Sequence, residues 1–180
     1  MAVLRVDDFR SRMTGGGARA NLFSVIFTYP GYVGGGDGDL TNLMCRSTRL
    51  PGSTIGTVEV PFRGRIVKLP GDRTFEPWEV TIYNDTNFNV RNSMEQWMNG
   101  MNSHAGNLGL QMLGTGVGTY AQSIEVQQLD QIGAVVKSYY LKNAFPSAVG
   151  QIELSYDQVT AIEEFTVTFE FDYWTNDNTQ

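Results

Sequence analysis

Histidine and cysteine are almost missing: the 180 residues hold one of each, His104 and Cys45. A single cysteine excludes an internal disulfide and a thiolate metal cluster, and it fits synthesis in a reducing compartment. Triads and metal sites built on histidine would rest on His104 alone. It sits in the glycine/asparagine loop Asn102-Ser103-His104-Ala105-Gly106-Asn107, and we read it as non-catalytic. Cys45 lies in an alternating stretch and reads as a small buried hydrophobe. Long apolar runs are also lacking. No window approaches the roughly 20 apolar residues of a membrane helix, and the start of the chain has no apolar signal-peptide core. Basic residues stop at Lys142. Residues 1–91 carry 11 Lys+Arg against 9 Asp+Glu, residues 92–180 carry 2 against 10, and the net charge is −6. A chain this acidic is poorly suited to binding nucleic acid by neutralising phosphates. It suits either a solvated acidic face or a surface past which nucleic acid slides without sticking.

The motifs of chemistry are absent too. Gly114-Thr115-Gly116-Val117-Gly118 lacks phosphate-loop spacing, and no nucleophile elbow is present. Gly34-Gly35-Gly36-Asp37-Gly38-Asp39 occurs once and in the wrong register for a calcium repeat. Glu153, Glu170 and Asp172 fall on the outer side of an alternating pattern, where a hydrolytic carboxylate pair would lack a cleft. No catalytic, cofactor-binding or metal-ligating residue is assigned, no cofactor is expected, and the chain does not read as an enzyme.

What the chain does have is alternation of period two, the pattern of strands with one face in a core. In residues 164–174, Phe165, Val167, Phe169, Phe171 and Tyr173 share one face, while Thr166, Thr168, Glu170, Asp172 and Trp174 share the other. Residues 152–157 repeat the pattern and are expected to pair with them as a terminal hairpin. Further strands are expected over 21–29, 40–50, 54–60, 62–69 and 78–84, with an edge or a break at Pro61 and a turn at Pro70-Gly71-Asp72. A hairpin joins 123–129 to 134–141, and Asn143-Ala144-Phe145-Pro146 reads as a turn. The period changes after Asp85. Val90, Met94, Trp97, Met98 and Met101 form one face of a helix over about 86–100, capped by Asp85 or Thr86 and ended by Gly100. Residues 1–20 read as an N-terminal arm, and 31–39 and 102–120 as loops. The expectation is a single domain over 1–180, mainly β (α+β), an antiparallel β-sandwich or half-barrel flanked by one α-helix.

Several segments in this order resemble the tail tube protein family of T-even-like contractile-tailed bacteriophages. They are Arg19-Ala20-Asn21-Leu22-Phe23, Leu50-Pro51, Pro70-Gly71-Asp72-Arg73-Thr74-Phe75, and Trp78-Glu79-Val80-Thr81-Ile82 through Asn84-Asp85. Phe145-Pro146-Ser147, Gly150-Gln151-Ile152-Glu153-Leu154, Phe165-Thr166-Val167-Thr168-Phe169 and Asp172-Tyr173-Trp174 complete the set. The resemblance implies a structural virion protein. Its hexameric rings would join inner strands across subunits into a wide β-barrel and stack into the inner tube of a contractile tail, built in the host bacterial cytoplasm. The implied partners are copies of itself, the tail sheath protein, tube-initiating baseplate proteins, the tape-measure protein and the tail terminator. Viral DNA would pass through the lumen without specific binding. Baseplate initiators and tubes of related contractile injection systems share this fold, so those stations stay open beside the tube. A monomeric β-sandwich ligand-binding module is the reading from another class. On this view the hairpins around 40–69 and 121–142 line the lumen. Arg46, Arg49, Arg63, Arg65 and Lys68 then need carboxylate partners in a neighbour, or else the assignment of inside and outside is reversed.

Overall fold

The computed structural model describes residues 5–13, 17–109 and 120–179. Within them, nine strands and three helices follow in the order α1 (Val6–Arg12), β1 (Phe23–Phe27), α2 (Gly38–Met44), β2 (Cys45–Thr48), β3 (Thr54–Phe62), β4 (Arg65–Thr74), β5 (Trp78–Tyr83), α3 (Asn89–Met101), β6 (Gln122–Leu129), β7 (Val135–Val149), β8 (Glu164–Glu170) and β9 (Tyr173–Asn176). All pairings are antiparallel, in the order β1-β6-β7-β8-β5-β2 with β9 on β7, and β3-β4 stand apart as a two-stranded sheet. Among the described residues no closed barrel forms within the subunit.

The long strand β7 belongs to two sheets. Its first half pairs with β6 and β9, and its second half pairs with β8. The change falls at Asn143, whose φ is +55°, a left-handed conformation that asparagine tolerates better than most residues. There the Asn143 side-chain amide donates to the Asp172 carboxylate at 2.6 Å, and the Asp172 N–H donates to the Lys142 carbonyl at 3.1 Å. The partner chain breaks at the same place, between β8 and β9. Two crossing strands thus turn one corner of a sandwich.

This corner corrects three expectations. Asn143 to Pro146 is not a turn: the strand continues, with Phe145 opposite Glu170 and Val149 opposite Val167. Pro146 is tolerated because this half of β7 is an edge with a bulge between Pro146 and Ala148, where a missing N–H costs no ladder bond. Residues 152–157 form no strand, since β7 already occupies the place beside β8, and alternation without a partner makes no sheet. The break at the corner also reverses the face assignment beyond it, as a one-residue slip must. Tyr173 is exposed, while Trp174 packs against Tyr139 with ring centroids 5.5 Å apart.

Between the sheets lie Val25, Phe27, Trp78, Val80, Ile82, Ile124, Val126, Leu141, Phe165, Val167 and Phe169, all buried. Helix α3 packs on this core with Val90, Met94 and Trp97, as its spacing predicts. It starts later than expected, at Asn89. The Asp85 carboxylate still accepts from the N–H groups of Asn89 (3.2 Å) and Val90 (3.5 Å), so it serves its capping role from outside the first turn. The Trp97 indole donates to the Tyr120 carbonyl at 2.7 Å and meets Phe169 edge-on.

Residues 40–50 are not one strand. Asp37 caps α2, accepting from the N–H of Asp39 and of Leu40, each at 3.0 Å, so the glycine/aspartate loop launches a helix and the strand begins only at Cys45. From α2, Asn42 accepts the Val25 N–H (3.0 Å) and so shields the outer edge of β1, an edge that would otherwise invite pairing. The N-terminal segment, read as an arm without periodicity, contains the short helix α1.

Gly100 does not end α3, which runs on to Met101. A methyl group at Gly100 would overlap the ring of Tyr32, whose hydroxyl donates to the Trp97 carbonyl at 3.1 Å. Helix propensity alone would make Gly100→Ala stabilising by about 1 kcal/mol. Steric overlap reverses the sign, and the variant is expected to lose about 1–3 kcal/mol, read as a lower denaturation midpoint in urea. An unchanged or raised midpoint would show that Tyr32 moves aside freely.

Candidate assembly interface

Strands β3 and β4 project from the sandwich as a ribbon, and every residue from Thr54 to Pro70 is exposed. Their turn is Arg63-Gly64, with φ of +47° and +78°, the left-handed pair that matches the twist of a two-residue hairpin. With Phe62 opposite Arg65, the register places Val58 beside Leu69 and Val60 beside Val67 on one face, and Glu59 beside Lys68 on the other. The ribbon therefore has one largely apolar face, and that face is left about half uncovered: Val58, Phe62, Val67 and Leu69 are 51%, 61%, 45% and 48% exposed. An isolated two-stranded ribbon is marginal in water, and an uncovered apolar face of this kind marks an interaction surface.

Of the edge or break expected at Pro61, the structure shows the edge: β3 runs on through it in a two-stranded ribbon whose outer sides are open. The turn expected at Pro70-Gly71-Asp72 does not form, since those residues lie within β4. Pro61 pairs with Ile66, and Pro70 with Thr57. Counting outward from the two-residue turn, both are non-hydrogen-bonded pairs. The missing N–H groups face outward, where they interrupt each open edge without weakening the ribbon itself. The ribbon's root is anchored by two tryptophans: the Trp78 indole donates to the Arg49 carbonyl (2.6 Å), and the Trp174 indole donates to the Gly52 carbonyl (3.0 Å). Phe75 packs on Phe171 at the other root, ring centroids 5.9 Å apart.

The cations assigned to lumen hairpins separate on this geometry. Lys68 pairs with Glu59 across the ribbon at 3.6 Å. Arg46 pairs with Glu164 on the sandwich. Arg65 shares the face of Val60 and Phe62, and Arg63 sits in the turn with its guanidinium 5.5 Å from the Phe62 ring centroid. Arg49 lies at the root.

The residues weighed for chemistry are dispersed. His104 is exposed beyond α3. Glu153 is exposed after β7, Glu170 sits on the outer face of β8, and Asp172 holds the corner. Among the described residues no three His, Cys, Asp or Glu side chains converge as metal ligands. The glycine run 114–118 lies outside the described residues.

Residues 18–177 match the family of phage tail tube proteins. The chain belongs to that family. It is 32% identical over 171 residues to the tail tube protein gp19 of Enterobacteria phage T4, a match covering 94% of this chain and 98% of that one. Two solved structures share its fold. One is a chain of the anti-feeding prophage baseplate (TM-score 0.60, 10% identity, 89% of this chain and 95% of that one). The other belongs to the sheath-tube complex of the extracellular contractile injection system PVC (TM-score 0.58, 14% identity, 93% and 96%).

The ribbon's role was only half legible in the sequence of this tail tube family member. The alternation of Val58, Val60 and Phe62 and of Val67 and Leu69 marks two strands, but not that they would stand away from the core. The available signal was compositional: three basic residues and two prolines interleaved with that apolar set.

Cys45 is packed against the core, and burial pushes its thiol from the ordinary 9.0 up to about 12. Burial likewise raises Tyr29 and Tyr32 to about 12. These groups hold their protons longer folded than unfolded, so their contribution to stability is complete below about pH 9 and is lost as pH rises towards 12. Urea midpoints are expected to fall steadily above pH 9, and the folded thiol to resist alkylation at pH 8 while the unfolded chain reacts readily. Rapid alkylation of the native chain would contradict the burial of Cys45.

Proposed function

We propose that this chain is a structural subunit of a contractile-tail inner tube, one domain whose copies form hexameric rings that stack into a hollow conduit for DNA ejection. The observation that carries the reading is the amphipathic ribbon. A ring of copies would cover the apolar face of β3–β4, each side chain now about half exposed gaining roughly 1 kcal/mol on burial. Joining β3, β4, β6 and β7 across subunits would close the sheet on itself and remove its edges. The opposite ribbon face, which carries Glu59 and Lys68 together with Thr57 and Ile66, would then meet the lumen with Glu59 and Lys68 neutralising one another, while Arg65 would turn away with the apolar face. That arrangement answers the difficulty of basic residues in a channel past which DNA must slide. As partners we propose the sheath, tube-initiating baseplate proteins, the tape-measure protein and the tail terminator, with the virion tail as the site of action.

Electron microscopy of the concentrated chain is expected to show rings or hollow rods. Val60→Asp with Phe62→Asp is expected to leave a monomer by light scattering, its unfolding free energy in urea changed by no more than about 0.5 kcal/mol because both side chains are solvent-exposed in the lone subunit. A wild-type chain that stays monomeric at every concentration, with baseplate present, would refute the reading.

A further inference from the structure

Two other surfaces of the subunit lack partners, and they match. The first is α1. Val6, Phe9 and Met13 recur at helical spacing on one side, and all three are exposed, Phe9 at 65%. The helix buries no residue. Arg10 and Arg12 stand in its last turn, and among the described residues neither joins an ion pair. The second surface is a groove of about 910 Å³ between residues 150–163 and the sheet edge, lined by Arg46, Tyr83, Ile152, Glu153, Ile162 and Glu164 among others. Residues 150–164 hold Glu153, Asp157, Glu163 and Glu164 and no basic residue. They also expose Leu154, Val159 and Ile162.

We infer that α1 of one copy docks, apolar side down, in the acidic groove of a copy in the next ring. This rests on the tube reading and names one of its axial contacts. Charge complementarity selects the occupant: a helix ending in two unpaired arginines meets a rim with an excess of carboxylates. Position selects a second copy over the same one. The arm is tied down where the Arg19 carbonyl accepts from Gln128, beside the β6–β7 turn, whereas the groove follows the far end of the 15-residue β7. The six residues between Arg12 and Arg19 reach at most about 25 Å, about half the contour of such a strand. The first half of β7 lies in the sheet that would build the barrel, where strands tilt only about 35–45° from the axis, so the arm's root at the β6–β7 turn sits at one axial end of the subunit and faces the next ring. A head-to-tail contact of this kind propagates without closing.

The test compares wild type with Phe9→Ala/Arg10→Glu/Arg12→Glu and with Glu153→Lys/Asp157→Lys, imaging rings and tubes across protein concentration. Each variant is expected to form rings but to need at least tenfold more protein to form tubes. Combining Arg10→Glu and Arg12→Glu with Glu153→Lys and Asp157→Lys in one chain is expected to restore stacking, which a merely destabilised subunit would not do. As a second measurement, Cys45→Ala chains carrying Phe9→Cys or Ile162→Cys are mixed under oxidation, and a heterodimer richer than either homodimer is expected. Variant tubes that match wild type at every concentration, or no excess of heterodimer, overturn the inference while leaving the tube reading in place. A wild-type chain giving neither rings nor tubes overturns the tube reading and the inference with it.

Discussion

The corner at Asn143 and Asp172 governs the architecture. One amide–carboxylate hydrogen bond and one left-handed residue let β7 leave the first sheet and enter the second, while the β8–β9 chain crosses beside it in the opposite sense. If that crossing failed, the two sheets would share no strand and their apolar faces would have nothing to fix their separation. The aromatic contacts that fill the sandwich depend on it. Phe169, three residues before Asp172 of the crossing pair, meets Phe27, Trp78 and Trp97 at centroid separations of 5.9, 5.7 and 6.0 Å. A carboxylate that reads in isolation as a candidate acid or base therefore has a full structural role.

What could be read from the chain beforehand follows from which forces are local. Helix α3 and strands β5, β6 and β8 were legible because side-chain periodicity alone decides their buried face. Residues 152–157 were misread because alternation is a property of a strand, whereas pairing is a property of two. The spurious turn at Phe145-Pro146 has the same origin: proline forbids a central strand but not an edge, and edge status is tertiary. Tyr173 and Trp174 exchanged faces because one irregular position shifts every later residue. Helix α2 was hidden because it runs without a break into strand β2 at Cys45, and its clearest local sign was Asp37 placed to cap.

The candidate interface was less legible than the fold, for a physical reason. Periodicity reports that one side of an element is apolar, but not whether that side is covered by the same chain or by another. For β5 and α3 the cover is intramolecular. For β3–β4 no described part of the same chain supplies it. The family resemblance pointed to assembly, yet the particular surface emerged only when burial could be assigned residue by residue. The distribution of charge fits the same division, since the basic residues gather in the first half with the arm and the ribbon, while the carboxylates are spread evenly over both halves and are left in excess in the second.

The tryptophan anchors at the ribbon's root have a kinetic meaning. Trp78 and Trp174 hold the Arg49 and Gly52 carbonyls from two different sheets, so the direction in which the ribbon leaves the sandwich is set before any second molecule arrives. Association then orders few additional rotatable bonds, and the entropic barrier to joining a growing oligomer is lowered. A flexible tether would reach more partners and wrong registers. A stiff one trades reach for fidelity, which suits a building block that must add in a single orientation many times over.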